Sequence, residues 1–336
     1  MSKRTERQAI ANLVRWQHGR GKPEVLLCRI PSYMDKFVGY MHPRYAYSLH
    51  EFGEPRRLPS CGGWILVRPI PGTPYKDAMG CYPLFLCRDW TRLHEDLEHI
   101  GPDVVSLALV TDTFSGVTPV YLEQYFEVIK PFKVHYLVDL SHPLESFVYR
   151  NHRRNSRHSL GIMDVEVCYE PAQYLDDWIR LYDNLIIRHD IKGISAFSPK
   201  CFQIQLNIPG MVMFLGRRKR EIIGATLVFI HDQVAYNHLA AYSSEGYKIK
   251  ASYGILWMIL KYLKERQVRF FDLGASAGIV ENAQDGLTCF KAGWSNESRT
   301  VYFCGRVLEN RKYTAICQHK NIGITGYFPA YREGEF

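Results

Sequence analysis

Val268-Arg-Phe-Phe-Asp-Leu-Gly-Ala-Ser-Ala-Gly278 and Asp285-Gly-Leu-Thr-Cys-Phe-Lys-Ala-Gly-Trp294 are the two ends of the stretch whose reading decides the fold. The first is a buried strand, Val268–Leu273, closing on an acid and a Gly/Ala/Ser turn. An irregular loop follows, then a short helix carrying Phe290 and Lys291. Glycines and an acid at the C-terminal end of a strand, with one lysine among aromatics just after, are how α/β proteins build a cleft. The pattern points to a group-transfer enzyme.

Upstream of this stretch a strong helix is expected over 250–266, preceded by a meander of three strands at 211–215, 222–230 and 234–242. Their turns are the polar Gly216-Arg-Arg-Lys-Arg220 and His231-Asp-Gln233. A helical stretch over 172–190 carries Leu175, Trp178, Ile179, Tyr182, Leu185 and Ile186 at helical spacing. A shorter helix over 199–206, a strand over 163–169 and a helix over 144–159 come before them, and a last strand is expected near 300–303. The first half is richer in Pro, Gly and aromatics. It reads as strands at 64–67, 82–87, 104–110 and 134–138 with helices at 90–99 and 119–129. Asp139-Leu-Ser-His-Pro-Leu144 punctuates the chain, and the domain boundary is placed there.

The 336 residues, 46% of them hydrophobic, suffice for more than one core, so two domains are expected. The net charge of +8 is concentrated downstream of residue 140 and favours an anionic partner: nucleic acid, a phosphorylated cofactor or acidic lipid. Nine cysteines without a C-x-x-C pair fit buried thiols in a reducing compartment. With no apolar run of membrane-spanning length, a cytoplasmic protein is expected. The sequence contains no P-loop, nucleophile elbow or Rossmann glycine fingerprint, and no clustered metal ligands.

The element order resembles the GNAT acyltransferase superfamily, and more narrowly its Fem-type branch. The residues carrying the resemblance are Arg150-Asn-His-Arg-Arg-Asn-Ser-Arg157, Ala235-Tyr-Asn-His-Leu-Ala-Ala-Tyr-Ser243, Phe271-Asp-Leu-Gly274 and Asp285-Gly-Leu-Thr-Cys-Phe-Lys291. It covers roughly residues 134–308. The resemblance implies an α/β fold of two GNAT-like domains, each a mixed, mostly antiparallel sheet flanked by helices. Residues 1–140 would form a degenerate first domain and 141–336 the acyltransferase domain. It also implies transfer of an activated acyl group to an amine, without a tightly bound cofactor. The donor is a co-substrate: aminoacyl-tRNA in Fem-type members, acyl-coenzyme A or a loaded carrier protein in others. The stretch Ser244–Gly254 departs from the coenzyme A loop. It has only Gly246 and Gly254, with bulky Tyr247 and Ile249, although Lys248 and Lys250 remain to meet phosphates.

Amide formation from an activated ester needs a neutral amine, a polarised carbonyl and a stabilised oxyanion. Lys291 matches the Phe-Lys lysine of Fem-type enzymes, which the resemblance implies neutralises charge beside the donor ester, with Phe290 walling the donor. Period-2 geometry puts Val234, Tyr236, His238, Ala240 and Tyr242 on one strand face. His238 is then a candidate base, with Tyr236 and Tyr242 ordering substrate or relaying a proton. A core histidine among packed tyrosines is the competing reading. Asp272, before Gly274, either anchors the acceptor amine or caps a turn. Arg150, Arg153, Arg154 and Arg157 form one helical stripe suited to phosphates, flanked by His152 and His158. Arg217, Arg218, Lys219 and Arg220 are read as a solvated turn, and Cys289 as a weaker nucleophile candidate. Expected partners are tRNA and a small-molecule or peptide-like amine acceptor, for which Tyr40, Tyr45, Tyr47, Trp64 and Tyr82 offer a wall or a core. A non-catalytic module binding RNA or protein is the alternative of another class.

Overall fold

The strand Met211–Arg218 sends Met213 and Leu215 into one core and Val212 and Phe214 into another. That alternation belongs to a strand buried on both faces, and it organises the computed structural model, which describes residues 37–276, 286–323 and 325–335. Asp285, Cys28 and the loop at 277–285 lie outside the described residues. The strands are β1 (Glu54–Leu58), β2 (Gly63–Pro69), β3 (Lys76–Gly80), β4 (Val104–Val110), β5 (Val128–Asp139), β6 (Asp164–Cys168), β7 (Met211–Arg218), β8 (Glu221–His231), β9 (Val234–Tyr242), β10 (Phe270–Ala275) and β11 (Glu297–Val307). They form one eleven-stranded sheet in the order β1-β2-β3-β4-β11-β5-β10-β9-β8-β7-β6.

This order repeats itself about the central β11/β5 pair. Moving outward on one side, β11–β4 is antiparallel, β4–β3 parallel, and β3–β2 and β2–β1 antiparallel. On the other, β5–β10 is antiparallel, β10–β9 parallel, and β9–β8 and β8–β7 antiparallel. Each half is thus a mostly antiparallel sheet with a single parallel junction, as expected. What the sequence did not show is the exchange at the centre. β11, the last strand, pairs with β4 of the upstream half, while β5 pairs with β10 of the downstream half.

Six helices position the site: α1 (Pro43–Ser48), α2 (Arg150–Leu160), α3 (Leu175–His189), α4 (Pro199–Gln205), α5 (Ala251–Glu265) and α6 (Gly286–Ala292). On one face of the downstream sheet, Trp178, Leu181 and Tyr182 of α3, Phe202 of α4 and Tyr45 of α1 pack on Met213, Leu227, Phe229 and Tyr236. On the other, Ile255, Ile259, Leu260 and Leu263 of α5 cover Phe214, Val228 and Phe271. The helix α5 crosses α2 at small residues. A Cβ on Gly254 would lie 2.5 Å from Ser159 Oγ and 2.8 Å from Met163 Cε, so the close crossing requires glycine there.

Several local expectations are corrected. The strand expected at 82–87 is irregular, with Phe85 alone bridging to Thr111. The helix expected over 119–129 stops at Leu122, because Val128 and Ile129 are taken by pairing with β11. The helix expected over 144–159 is broken at Val148-Tyr149, where the Tyr149 N–H donates to the Gly293 carbonyl at 3.0 Å. Strand β1, helix α1 and a helix over Asn310–His319 appear where no element was expected.

Candidate active site

Strands β9 and β10 pair in parallel only through Val234–Tyr236 and Phe270–Asp272. Beyond these residues they diverge, which opens the sheet at Tyr236 and Asp272. Asp272 is 2% exposed, and its carboxylate accepts from His135 Nδ1 (2.8 Å), Thr113 Oγ1 (2.9 Å) and the Gly274 N–H (2.7 Å). Burial alone would raise its pKa. The charge of His135 and these three donors override burial and hold it below the ordinary carboxylate value. The capping role read from sequence is therefore real, because Asp272 fixes the Gly274 turn, where φ is +78°.

A second carboxylate faces the first. Asp112, just past β4, accepts from Tyr236 Oη at 3.0 Å. Thr113 Oγ1 lies 3.4 Å from Asp112 but 2.9 Å from Asp272. Its single hydrogen therefore goes to Asp272. Burial, followed by repulsion from Asp272 against the opposing Tyr236 hydrogen bond, pushes Asp112 up to about 6. The two neighbouring carboxylates are thus driven to opposite sides of their ordinary value, an arrangement found in acid/base pairs and in structural networks alike. Asp112 was not among the sequence candidates. The signal that singled out Asp272, an acid at the end of a buried strand, also stands at Val104–Val110 followed by Thr111-Asp112.

Lys291 sits at the end of β10. Its Nζ donates to the Ala275 carbonyl at 2.5 Å and would lie 3.1 Å from a Cβ on Gly274. The side chain is half-buried beside the divergence rather than directed into bulk water. Phe290 packs against Tyr253, His152 and Trp294 at centroid distances of 5.0 to 6.1 Å, a core position more than a donor wall. His152 Nε2–H donates to the Phe290 carbonyl at 3.0 Å, tying α2 to α6. Burial lowers its pKa against that bond, so the ring is held neutral. Gly293 seats the same ring, since a Cβ there would be 2.3 Å from it.

The structure separates the residues expected to share the β9 face. The β8–β9 register slips between Leu227↔Leu239 and Val228↔Asn237, which leaves His238 as a bulged extra residue. Tyr236 and His238 stay on the α3 side, while Tyr242 turns to the α5 core, with its hydroxyl 3.4 Å from Thr226 Oγ1. Burial depresses His238 to about 3. Both its nitrogens are engaged: Nδ1 accepts from Tyr40 Oη at 3.0 Å and Nε2–H donates to Gln205 Oε1 at 3.1 Å. It is a satisfied core histidine ringed by Tyr40, Tyr45 and Phe229, not a poised base.

The arginine stripe on α2 forms as expected. Arg150, Arg154 and Arg157 are exposed and Arg153 is half-buried, opposite buried His152, Asn155, Ser156 and Ser159. Among the described residues no carboxylate pairs with any of the four, and Arg153 Nε is buried without a hydrogen-bond partner. Lys250 adopts φ +59° at the start of α5 and donates to Asn155 Oδ1 at 3.2 Å. Gly246 lies against a carbonyl, where a Cβ would meet Ile223 O at 2.2 Å, so neither it nor Gly254 frames a phosphate loop. In the basic turn, Arg217 pairs with Glu166 and Arg218 with Glu245. No group of three or more potential metal ligands occurs among the described residues, nor any helix long and apolar enough to cross a membrane.

Among the described residues of the upstream half, the corresponding position is filled. Past the parallel β3/β4 junction, the Phe85 N–H donates to the Val110 carbonyl at 2.7 Å, and its fully buried ring packs on Trp90 at 5.3 Å. Phe85 fills the position that stands open between β9 and β10.

One parallel junction opening onto a buried carboxylate agrees with what comparison finds: residues 148–285 match the family model described as the acetyltransferase (GNAT) domain. The chain carries a GNAT domain. Its fold is shared with FemX (TM-score 0.63, 13% identity, 82% of this chain and 93% of that one). It is shared too with the C-terminal domain of a putative lysylphosphatidylglycerol synthetase from Agrobacterium fabrum (0.60, 14%, 88% and 95%). A third similar structure is L-PGS from Bacillus licheniformis (0.58, 14%, 88% and 98%). No curated protein matches the sequence.

Proposed function

We propose that this GNAT protein is a Fem-type N-acyltransferase that moves an aminoacyl group from charged tRNA to a primary amine. The observation that carries acyl transfer is the presence of two unlike groups where β9 and β10 part, the Lys291 ammonium at the end of β10 and the Asp112–Tyr236 pair at β9. In this scheme the donor ester lies at the end of β10, with its carbonyl oxygen toward the Lys291 ammonium. Asp112, ionised above about pH 6, takes one proton from the acceptor ammonium. The freed amine attacks the carbonyl carbon, and Lys291 offsets the charge gathering on oxygen. Collapse breaks the ester C–O bond, and the departing hydroxyl takes the second amine proton. Asp272 stays ionised and holds Thr113 and the Gly274 turn in register. Residues 141–336 supply these donor-side groups, and 1–140 contribute Asp112 and the acceptor side.

The tRNA donor is supported by the arginine stripe, four guanidiniums without a carboxylate among them, and by the absence of a glycine phosphate loop before α5. It is also supported by the fold shared with FemX and with the C-terminal domain of a putative lysylphosphatidylglycerol synthetase. One feature favours a thioester donor instead: α5 begins at Lys250 without a side-chain cap, leaving N–H groups that suit a phosphate. The test supplies the protein with an amine mixture and either labelled aminoacyl-tRNA or acyl-coenzyme A. Ribonuclease should abolish amide formation, and Lys291→Ala should lower turnover at least 100-fold. Ribonuclease-resistant turnover with acyl-coenzyme A selects the thioester donor, and full activity of Lys291→Ala removes the mechanism.

A further inference from the structure

His135 belongs to the polar cluster around Asp272, and no step of the transfer scheme uses it. It stands on β5, 7% exposed, and its Nδ1 approaches both oxygens of Asp272, at 2.8 and 3.0 Å. An ionised Asp272 can only accept. A neutral His135 ring therefore keeps its one hydrogen on Nδ1, and the lone pair falls to Nε2. Among the described residues nothing bonds Nε2, and it is not one of the buried atoms sealed off without a partner. It opens onto accessible space. His238 and His152 hold the opposite tautomer, with their Nε2–H groups spent on Gln205 and on the Phe290 carbonyl.

The sheet register brings this ring to the transfer site. His135 faces Ala275 across the β5/β10 pair, and the Ala275 carbonyl is the group that anchors Lys291 Nζ. Imidazole and ammonium thus border the same residue. The other charged groups facing His135 come from three directions. Arg299 stands opposite it on β11 and pairs with Glu297. Lys133 lies two residues back on the same face of β5. Asp112 is reached through Thr113 and Asp272. A carboxylate on Nδ1 fixes the ring and stabilises the imidazolium, so an imidazole with an open Nε2 can take up a proton and give it back.

We infer that His135 is the proton carrier of the transfer step: its Nε2 takes the second proton from the adduct nitrogen and delivers it to the departing ester oxygen. Attack by the neutral amine forms the C–N bond and leaves a nitrogen with one proton too many, beside an oxygen that leaves poorly without one. Nε2 removes the first difficulty and, as the C–O bond breaks, the second. The ring ends the cycle as it began, and Asp112 releases the other proton to water. The inference rests on the acyltransferase reading for its reaction, while the tautomer it requires is a property of the free protein.

Nitrogen NMR of the full chain with labelled imidazoles reads that tautomer with no donor present, and His135→Asn or His135→Gln assigns the signal. A protonated Nδ1 and a bare Nε2 are expected at His135, against a protonated Nε2 at His238. In His135→Asn the side-chain amide still offers an N–H to Asp272, so the melting temperature should stay near that of the wild type. Its kcat should nevertheless fall by about 10²–10⁴, the worth of a positioned proton-transfer group. KM for both substrates should hold, because the missing group acts only after binding. A protonated Nε2 at His135, or wild-type turnover by His135→Asn, overturns the carrier and leaves the ring a brace for Asp272. If turnover requires Lys291 but not His135, the acyltransferase reading stands and the carrier alone falls. If the wild type forms amide from neither donor, the acyltransferase reading falls and takes the carrier with it.

Discussion

At the scale of the residue, Asp112 couples activity to stability with opposite signs. Its folded pKa of about 6 lies above the ~3.9 of an unfolded aspartate, so the native state binds the extra proton between these values. The contribution of this one group to stability is complete below the lower value, declines as pH rises through the window and is lost above about 6. Turnover runs the other way, because the proposed base works ionised. Asp112→Asn, whose amide oxygen still accepts from Tyr236, should melt higher than the wild type at pH 8 and show no such gain at pH 4. Its turnover should fall by about 10²–10⁴, the ordinary worth of a general base. Thermal melts at the two pH values and a pH–rate profile check this. A variant that keeps the wild-type rate rules Asp112 out as the base. Lys291 and Asp272 stood out as candidates in the sequence because each sits in a motif with a strand or turn beside it. Asp112 was not singled out, since its partner Asp272 is 160 positions away and only the sheet brings them together. His238 misled for the opposite reason: period 2 is local, but the bulge and the Tyr40 and Gln205 partners that neutralise the ring are not.

Among elements, the decisive junction is α2 against α6. His152 carries the arginine helix and the Lys291 helix on one ring, and Gly293 provides the seat. Gly293→Ala should destabilise the protein by about 1–3 kcal/mol through overpacking. In a His152→Ala background the same change should cost much less, and a double-mutant cycle reads the coupling. Additive effects would show that the ring does not mediate the contact. On the outer face of α2, Arg154→Ala and Arg157→Ala should each lower the log–log salt slope of tRNA binding by ~0.7, the share of one phosphate contact to single-stranded nucleic acid. Turnover at saturating donor should hold, and an unchanged slope in both variants removes the stripe from tRNA binding. Periodicity made the stripe, the meander and the long helices legible. It failed at short elements such as β1 and α1, whose few residues carry no repeat, and at the 144–159 helix, whose break depends on a distant carbonyl at Gly293.

For the whole molecule, the two halves share a sheet by trading their last strands. Removing residues 296–336 strips β11 from between β4 and β5 and bares two long edges in the middle of the sheet. Such a truncation should be insoluble or unfolded, whereas the chain from residue 38 onward should melt in one cooperative transition with all activity lost together. Two separate transitions by calorimetry would show that the halves are energetically independent. Fold class and most strands were legible in the sequence, since hydrophobic runs and turn residues mark them locally. The trade was not, because no pattern in Glu297–Val307 names β4 as its neighbour.

That crossing-over of β5 and β11 has a historical reading. Two copies of a single-sheet ancestor that had swapped their terminal strands would already present this central pair, and a peptide linker joining them would complete the present chain. The ancestral pair would have had two equal openings. In the present chain the buried ring of Phe85 stands where one of them would be.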